Sequence, residues 1–192
     1  MNHRSKAFRG QSIIETDDIA DDVNIQHFCH IHKDVKIGRG TFIGDCTTIR
    51  PNSVIGENVS IGTHCKIEGD CSIGDSTRIY SGSLICKQAV VGKRVFMGPH
   101  VLLLNTYHPF CSEAKQCVHG PVIEDDVKIG GGAVVCPGLT VGKGSLIGAG
   151  CIVVASVPPL SVVAGNPGKV VKHVRDLECK RGRKKNPYED LL

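Results

Sequence analysis

Large apolar residues occupy every sixth position from Ile19 to Leu103 without interruption. From Val23 onward, a smaller residue stands two positions before each large one. Side chains two positions apart on an extended strand point to the same side, so each unit of six residues offers one large and one small side chain to a common interior. The large positions are Ile19, Ile25, Ile31, Ile37, Ile43, Ile49, Ile55, Ile61, Ile67, Ile73, Ile79, Ile85, Val91, Met97 and Leu103.

Glycine follows many of the large residues, as in Ile37-Gly38 and Ile61-Gly62. Glycine favours turns because it adopts backbone conformations that are closed to other residues. Short strands separated by turns at a fixed period are typical of a parallel β-helix of hexapeptide repeats, whereas an amphipathic helix needs an apolar spacing of about 3.6 residues. The pattern therefore predicts an all-β protein built as one parallel β-helix.

The sixfold count breaks after Leu103, because the step to the next large position, Ile123, is not a multiple of six. Residues 105–121 are irregular, and the repeat then resumes and continues to Val153. A long loop inside an otherwise strict repeat is more often functional than decorative. We predict about seven coils over residues 19–168, interrupted by an inserted functional loop at 105–121.

The two ends of the chain lack the repeat. Residues 1–18 are predicted to form a cap over the first coil, since a stack of repeats needs a terminal cover. Pro158 and Pro159 end the strand pattern. Within residues 169–192, apolar residues at helical spacing predict a short C-terminal helix followed by a basic tail; these are Val170, Val171, Val174 and Leu177.

Composition adds several expectations. Only 4% of residues are aromatic and 23 are glycine, which suits a narrow interior of stacked aliphatic side chains. The net charge of +4 is modest, and nucleic acid is not expected as a partner. No apolar run approaches the length of a membrane span, and residues 1–22 do not resemble a signal peptide. A cytoplasmic protein without a membrane span is expected.

The ten cysteines do not suggest disulfides or zinc. No pair has the CxxC spacing of a zinc site. Cys29, Cys65, Cys71 and Cys151 fall on small interior positions of the repeat, so we expect buried free thiols there.

Three segments together resemble the hexapeptide-repeat acyltransferases. These are the Thr-Tyr-His-Pro motif of the loop at residues 106–109, the block DVKIGGGAVV at 126–135 and the segment GNPGKV at 165–170. The resemblance covers about residues 19–172. It implies a left-handed β-helix, a homotrimer and acetyl-CoA as acyl donor, and it points to the subgroup of sugar O-acetyltransferases and N-acetyltransferases of nucleotide-linked amino sugars.

Acyl transfer from a thioester requires removal of a proton from the attacking acceptor. An imidazole with an ordinary pKa of about 6.5 is mostly neutral and basic at neutral pH. In the family that the chain resembles, a histidine just before proline in the inserted loop is the general base, and His108-Pro109 matches that motif. His108 is therefore the predicted catalytic residue.

The resemblance also suggests residues for both substrates. It implies that Gly131 and Ala149 form a floor for coenzyme A, and that Lys169 and Lys172 meet its phosphates as point charges. The basic residue that often follows this coil in the family is absent, with Val154-Ala155 in its place.

Three further residues are candidates for binding the acceptor. Asn105 and Tyr107 are expected to bind the acceptor or to orient His108. The alternative is that Asn105 is a turn residue and Tyr107 is a packing aromatic. Arg78 is expected to bind an acidic sugar or a nucleotide phosphate. The alternative is that it is a surface arginine without a partner.

No metal is expected. His27, His30 and His32 are close in sequence, but they are expected on different faces of the repeat. A carbonic-anhydrase-like site on this fold requires a His pair five residues apart after an earlier His of the repeat. His27 and His32 have this separation, but no histidine of the repeat precedes them.

The leading hypothesis is an acetyl-CoA-dependent acetyltransferase of a small-molecule sugar or nucleotide-linked sugar, with an active site shared between subunits of a trimer. One alternative is the same chemistry on a non-sugar amine or alcohol. Another is a β-helix that serves only as a scaffold.

Overall fold

The computed structural model describes residues 7–8 and 11–191; the rest of the predicted N-terminal cap and residue 192 lie outside the described residues. Almost all of its regular structure consists of two-residue strands. The strands are β1 Ala7–Phe8, β2 Ile13–Ile14, β3 Asn24–Ile25, β4 His30–Ile31, β5 Lys36–Ile37, β6 Phe42–Ile43, β7 Thr48–Ile49, β8 Val54–Ile55, β9 Ser60–Ile61, β10 Lys66–Ile67, β11 Ser72–Ile73, β12 Arg78–Ile79, β13 Leu84–Ile85, β14 Val90–Val91, β15 Phe96–Met97, β16 Leu102–Leu103, β17 Val122–Ile123, β18 Lys128–Ile129, β19 Val134–Val135, β20 Thr140–Val141, β21 Leu146–Ile147, β22 Ile152–Val153, β23 Ser161–Ala164 and β24 Lys169–His173.

The strands form three sheets, which are parallel except at β24, and each regular coil contributes one strand to each sheet. Sheet A has the order β1-β3-β6-β9-β12-β15-β18-β21-β23-β24, sheet B has β2-β4-β7-β10-β13-β16-β19-β22, and sheet C has β20-β17-β14-β11-β8-β5. Within the stack, paired residues are three hexads apart, as in Ile49, Ile67 and Ile85 of sheet B. Three hexads therefore make one coil, which confirms the predicted all-β parallel β-helix.

The large position of each hexad faces the interior. Ile25, Ile49, Ile67, Leu103 and Val135 are completely buried. Their side chains stack on those of the neighbouring coils, and burial of an aliphatic side chain of this size stabilises a fold by about 1.5–3 kcal/mol. The core is thus one continuous column along the helix axis.

The small position accepts hydroxyl and thiol groups because the backbone there satisfies them. Thr47 Oγ1 donates to Gly62 O at 2.9 Å and accepts from Cys65 N at 3.2 Å. Cys71 Sγ lies 3.1 Å from Gly69 O, and burial raises the pKa of its thiol to about 11. Cys29, Cys65, Cys71 and Cys151 are all buried free thiols, as predicted.

Glycine after the large position allows the coils to stack closely. A Cβ on Gly44 would lie only 2.7 Å from the carbonyl carbon of Gly62 in the next coil. Real Cβ atoms do not approach backbone atoms this closely, so a larger residue would push the two coils apart. The recurring glycine is therefore required by the spacing between coils.

The described part of the N-terminal segment, which was predicted as a cap over the first coil, contains two strands. β1 pairs with β3 and β2 pairs with β4, so its described part continues sheets A and B. Ile14 pairs with Ile31, one position short of the three-hexad separation that the coils between Ile25 and Leu103 keep. This offset of one residue hides the first, incomplete coil from a strict sixfold count.

The predicted C-terminal helix is wrong. Lys169–His173 is a strand that pairs antiparallel with β23, and it is followed by a single 3-10 turn at Val174–Asp176. The β-branched Val170 and Val171 favour an extended backbone, and β23 offers an edge for pairing. A second 3-10 turn, Glu189–Leu191, lies near the end of the chain.

Candidate active site

The inserted loop leaves the stack between β16 and β17, at the corner between sheets B and C. Val91 of β14 pairs with Ile123 of β17 in the same register as the other strands of sheet C, although the chain between them includes the whole loop. The insertion is therefore accommodated outside the stack and leaves strand pairing unchanged. An antiparallel bridge between Thr106 and Val118 closes the base of the loop.

His108 lies on the exposed part of this loop. Its ring centroid is 6.3 Å from that of Tyr107, and its backbone carbonyl accepts a hydrogen bond from Cys111 N at 3.3 Å. The imidazole projects from the β-helix rather than packing against it. Such a group can take a proton from a substrate that binds beside the loop.

Asn105 and Tyr107 connect the loop to the coils above and below it. Asn105 Nδ2 donates to Lys87 O of the preceding coil at 3.2 Å. The hydroxyl of Tyr107 lies against Gly138 of the following coil, in the space that a side chain there would occupy. These contacts favour a role for both residues in holding the base of the loop, next to His108.

Small residues line the corner between sheets A and B, here named the small-residue corner: Gly131, Ala149, Ala164 and Gly165. Gly150 N donates to Gly131 O at 2.9 Å, so Gly131 and Ala149 occupy successive coils of this corner. Ala164 follows them and pairs with Lys169 of β24. The structure thus brings Gly131, Ala149 and Lys169 to one edge of the β-helix.

Lys172 and Arg78 lie away from that edge. Lys172 pairs with Val162, further along β24. Arg78 lies on the outer face of sheet A and lines a cavity of about 470 Å³ together with Phe42, Ser60 and Tyr80. Within one chain, Arg78 is therefore not on the corner that carries His108.

A second cavity of about 470 Å³ adjoins the small-residue corner, with Ala149, Leu146 and Phe96 in its lining. Lys128 and Tyr188 complete it: Lys128 Nζ lies 5.0 Å above the Tyr188 ring and donates to Asp126 O at 2.7 Å. Burial lowers the pKa of Lys128. Sequence reasoning missed this cavity because its wall depends on the C-terminal segment folding back over sheet A.

The N-terminal histidines are closer together than expected. His30 and His32 lie on one side of sheet B with their rings stacked at 3.8 Å, so the expectation that they occupy different faces is wrong. Glu15 Oε1 is 3.2 Å from His30 Nε2, and Glu15 Oε2 is 3.4 Å from His32 Nδ1. The spacing of two positions along a strand was the signal for this contact.

The protonation of this cluster follows from its contacts. The hydrogen bond from His30 lowers the pKa of Glu15. Burial, and then the charge of His30, lowers the pKa of His32. His27 lies apart from the cluster and pairs with Asp45 at 3.0 Å.

Comparison with known families accounts for the whole repeat. Residues 13–108, half of the chain, match the family model described as the GMPPB C-terminal domain, and residues 120–155 match the bacterial transferase hexapeptide, six repeats. The chain belongs to the family of the GMPPB C-terminal domain, and it shares its hexapeptide repeats and its left-handed β-helix fold with the hexapeptide-repeat acetyltransferases.

Individual relatives are acetyltransferases. A 2,3,4,5-tetrahydropyridine-2,6-dicarboxylate N-acetyltransferase from Staphylococcus aureus is 49% identical over 57 residues, which are 30% of this chain and 24% of the relative. The chain thus matches about a quarter of the length of such curated relatives.

Two solved structures share the fold over most of the chain. A hexapeptide-repeat-containing acetyltransferase from Vibrio cholerae, solved with acetyl-CoA, is 26% identical with a TM-score of 0.53, over 71% of this chain and 72% of that one. A galactoside acetyltransferase solved with coenzyme A is 26% identical with a TM-score of 0.51, over 70% and 64%.

Helices long and apolar enough to cross a lipid bilayer are absent from the part of the chain that the structure describes.

Proposed function

We propose that this protein transfers an acetyl group from acetyl-CoA to a hydroxyl or amino group of a sugar or nucleotide-linked sugar, with His108 as general base. The observation that carries the proposal is the exposed His108 on a loop inserted into an otherwise regular stack. The similarity to acetyltransferases solved with acetyl-CoA and with coenzyme A supports the donor, and the galactoside acetyltransferase supports a sugar acceptor.

The reaction needs one proton transfer on each side of a tetrahedral intermediate. His108 accepts the proton of the acceptor hydroxyl or amine as that atom attacks the thioester carbonyl. The intermediate then collapses and breaks the carbon–sulfur bond, and the departing thiolate receives the proton from His108. An exposed imidazole is suited to both steps because it can accept and return a proton near neutral pH.

The small-residue corner suits a long, narrow donor. Gly131 and Ala149 leave the backbone of successive coils open along this edge, and Lys169 stands where the edge ends. Coenzyme A is extended in its pantetheine arm and anionic at its nucleotide end. We therefore assign the arm to the corner and the phosphates to Lys169 at its end and to Lys172, three residues further along β24 and beyond the edge.

A complete site requires two copies of the chain. His108 lies at the B–C corner and Gly131 at the A–B corner, so the whole width of sheet B separates them within one chain. We therefore propose a homotrimer in which neighbours share each active site, with Asn105 and Tyr107 beside the base. Arg78 of sheet A does not share a corner with His108 in one chain, so in this proposal Arg78 of a neighbouring subunit contacts the anionic part of the acceptor. An acetyl-CoA donor agrees with the expected cytoplasmic location.

The test is a thiol-release assay with acetyl-CoA over a panel of nucleotide-linked amino sugars, nucleotide-linked sugars and simple sugars, with product masses determined. We expect release with one class of acceptor, and a loss of turnover of about 10²–10⁴-fold in His108→Ala. His64→Ala, which removes another exposed imidazole, should retain turnover. Full turnover in His108→Ala, or thiol release by no member of the panel, contradicts the proposal.

Shared sites can be tested separately by mixing inactive variants. Ala149→Trp fills the small-residue corner, and His108→Ala removes the base. If the two corners that form a site come from different subunits, co-refolded mixtures regain about a quarter of the wild-type activity. Recovery of no activity from a mixture that light scattering shows to be trimeric would exclude the shared site.

A further inference from the structure

The cluster of Glu15, His30 and His32 lies outside the proposed active site. It places one carboxylate oxygen and two imidazole nitrogens within 4.8 Å of one another, and among the described residues no other group of three such side chains does so. In sheet B, four strand spacings, about 19 Å, separate β4 from β16, which precedes the inserted loop. Any role of the cluster is therefore independent of the proposed acetyl transfer.

The distances between the donor atoms match those around a bound transition metal. Zinc binds nitrogen and oxygen at about 2.0–2.2 Å, so two ligand atoms of a tetrahedral site lie about 3.3–3.6 Å apart. Glu15 Oε1 lies 3.2 Å from His30 Nε2, with which it shares a hydrogen bond, and Glu15 Oε2 lies 3.4 Å from His32 Nδ1, so each imidazole nitrogen is near this spacing from one of the two carboxylate oxygens. The donor set of two imidazoles and one carboxylate also suits zinc in its ligand types.

The backbone holds these side chains in place without an ion. His30 and His32 are two positions apart along sheet B, and Glu15 N donates to Ile31 O between them at 2.9 Å. Glu15 Oε2 also accepts a hydrogen bond from Lys33 N at 3.3 Å. Arg50 on the next coil, whose charge acts on His32, is paired with Glu68 at 3.0 Å.

The three side chains also have access to solvent. Exposed fractions of 42% for Glu15, 34% for His30 and 23% for His32 leave room for an ion to enter and for water to complete its coordination.

We propose that Glu15, His30 and His32 bind one zinc ion that fastens the incomplete first coil to the rest of the stack. Glu15 belongs to the offset N-terminal coil, and the two histidines belong to the next one. An ion held by both coils stabilises their contact because it binds the folded arrangement only. The planes of the His30 and His32 imidazole rings are inclined to each other by only 20°. To bind one ion, the rings must rotate apart so that the lone pairs of His30 Nε2 and His32 Nδ1 both point at it.

The experiment uses untagged, chelator-treated protein carrying His3→Ala, so that the histidine near the N-terminus adds no ligand. Zinc binding is measured by calorimetry, and cobalt is used as a spectroscopic probe of the ligands. We expect one ion per chain, a higher thermal unfolding midpoint with zinc, and a cobalt spectrum without thiolate charge-transfer bands. The isosteric Glu15→Gln and the truncation His30→Ala should each weaken binding at least about tenfold.

The control is His27→Ala, which removes a neighbouring histidine that pairs with Asp45 outside the cluster; it should leave zinc affinity unchanged. Circular dichroism of each metal-free variant checks that the first coil still forms. Equal zinc affinity in the His3→Ala protein and in its Glu15→Gln and His30→Ala derivatives overturns the proposal. The same holds for cobalt bound through thiolate, or for no saturable binding at millimolar zinc.

Discussion

The stacked coils and the inserted loop are built on opposite principles. In the coils, each hexad buries its large side chain and pairs its backbone with the equivalent hexads of the coils before and after it. In the loop, residues 106–113 are exposed, and the aromatic ring of Phe110 is fully exposed. The coils gain stability from every hexad, whereas the loop is held mainly at its base.

This difference explains where chemistry can reside on such a fold. A side chain inside the column touches only its own repeats and cannot reach a substrate. The loop departs from the column after Leu103 and returns at Ile123 without shifting any strand pair. The β-helix thus provides a rigid frame with fixed corners, and the insertion places a proton acceptor beyond its surface.

Excising the loop tests this separation most severely. Removal of residues 106–119 joins Asn105 to Gly120 and restores the step of one hexad between Leu103 and Ile123. We expect acetyl transfer to be abolished, while thermal unfolding remains cooperative because every strand pair is preserved. The thiol-release assay and a thermal scan measure the two effects. Residual transfer above background, or loss of cooperative unfolding, would show that the two regions are not separable.

A pair of large-to-small substitutions sharpens the comparison energetically. Ile49 is completely buried and Phe110 is fully exposed. Ile49→Ala should lower the free energy of unfolding by about 2–5 kcal/mol, and Phe110→Ala by less than about 0.5 kcal/mol. Denaturant unfolding at one protein concentration measures both changes. A similar loss in the two variants would mean that the loop packs more tightly than its exposure indicates.

The repeat itself could be predicted from sequence because its forces are local and periodic. Each large position repeats the same environment, so the period alone identifies the buried side chains, the coil count and the point where the loop leaves. The thiols at the small positions were predicted for the same reason. The placement of His108 on the loop followed from the break in that period.

Features that depend on contacts between distant segments could not be predicted in this way. The valines of β24 fit a helical spacing, and only the free edge of β23 makes them a strand. The approach of Tyr188 to Lys128 depends on Asn186, whose side chain binds the carbonyls of Val174 and Arg175 at 2.9 and 3.0 Å. Glu15 reaches the histidines only because the first coil is offset by one residue.

An ion pair at a corner of the stack joins the largely buried Asp126 to Arg94, whose side chain is 53% exposed. Arg94 Nε and Nη2 donate to the Asp126 carboxylate at 2.7 and 2.8 Å, and the Asp126 side chain is only 10% exposed. Residue 126 also has a positive φ of 61°, which asparagine tolerates as well as aspartate. Asp126→Asn therefore removes the charge and leaves the turn unstrained.

The pH dependence of this pair is expected to be a smaller effect than that of Ile49→Ala. Arg94 holds the pKa of Asp126 below its usual range. A lowered folded-state pKa means that the stabilisation is complete above the unfolded-state pKa of about 3.9 and disappears as the pH falls through the folded-state value. Asp126→Asn should thus cost about 1–3 kcal/mol near pH 7, and the difference from wild type should shrink below about pH 4. Denaturant unfolding across this pH range measures it. The control Asp190→Asn breaks the exposed pair with Lys184 and should change the free energy of unfolding little at any pH. If the cost of Asp126→Asn does not depend on pH, Asp126 stabilises the coils by packing at this corner and not by its charge.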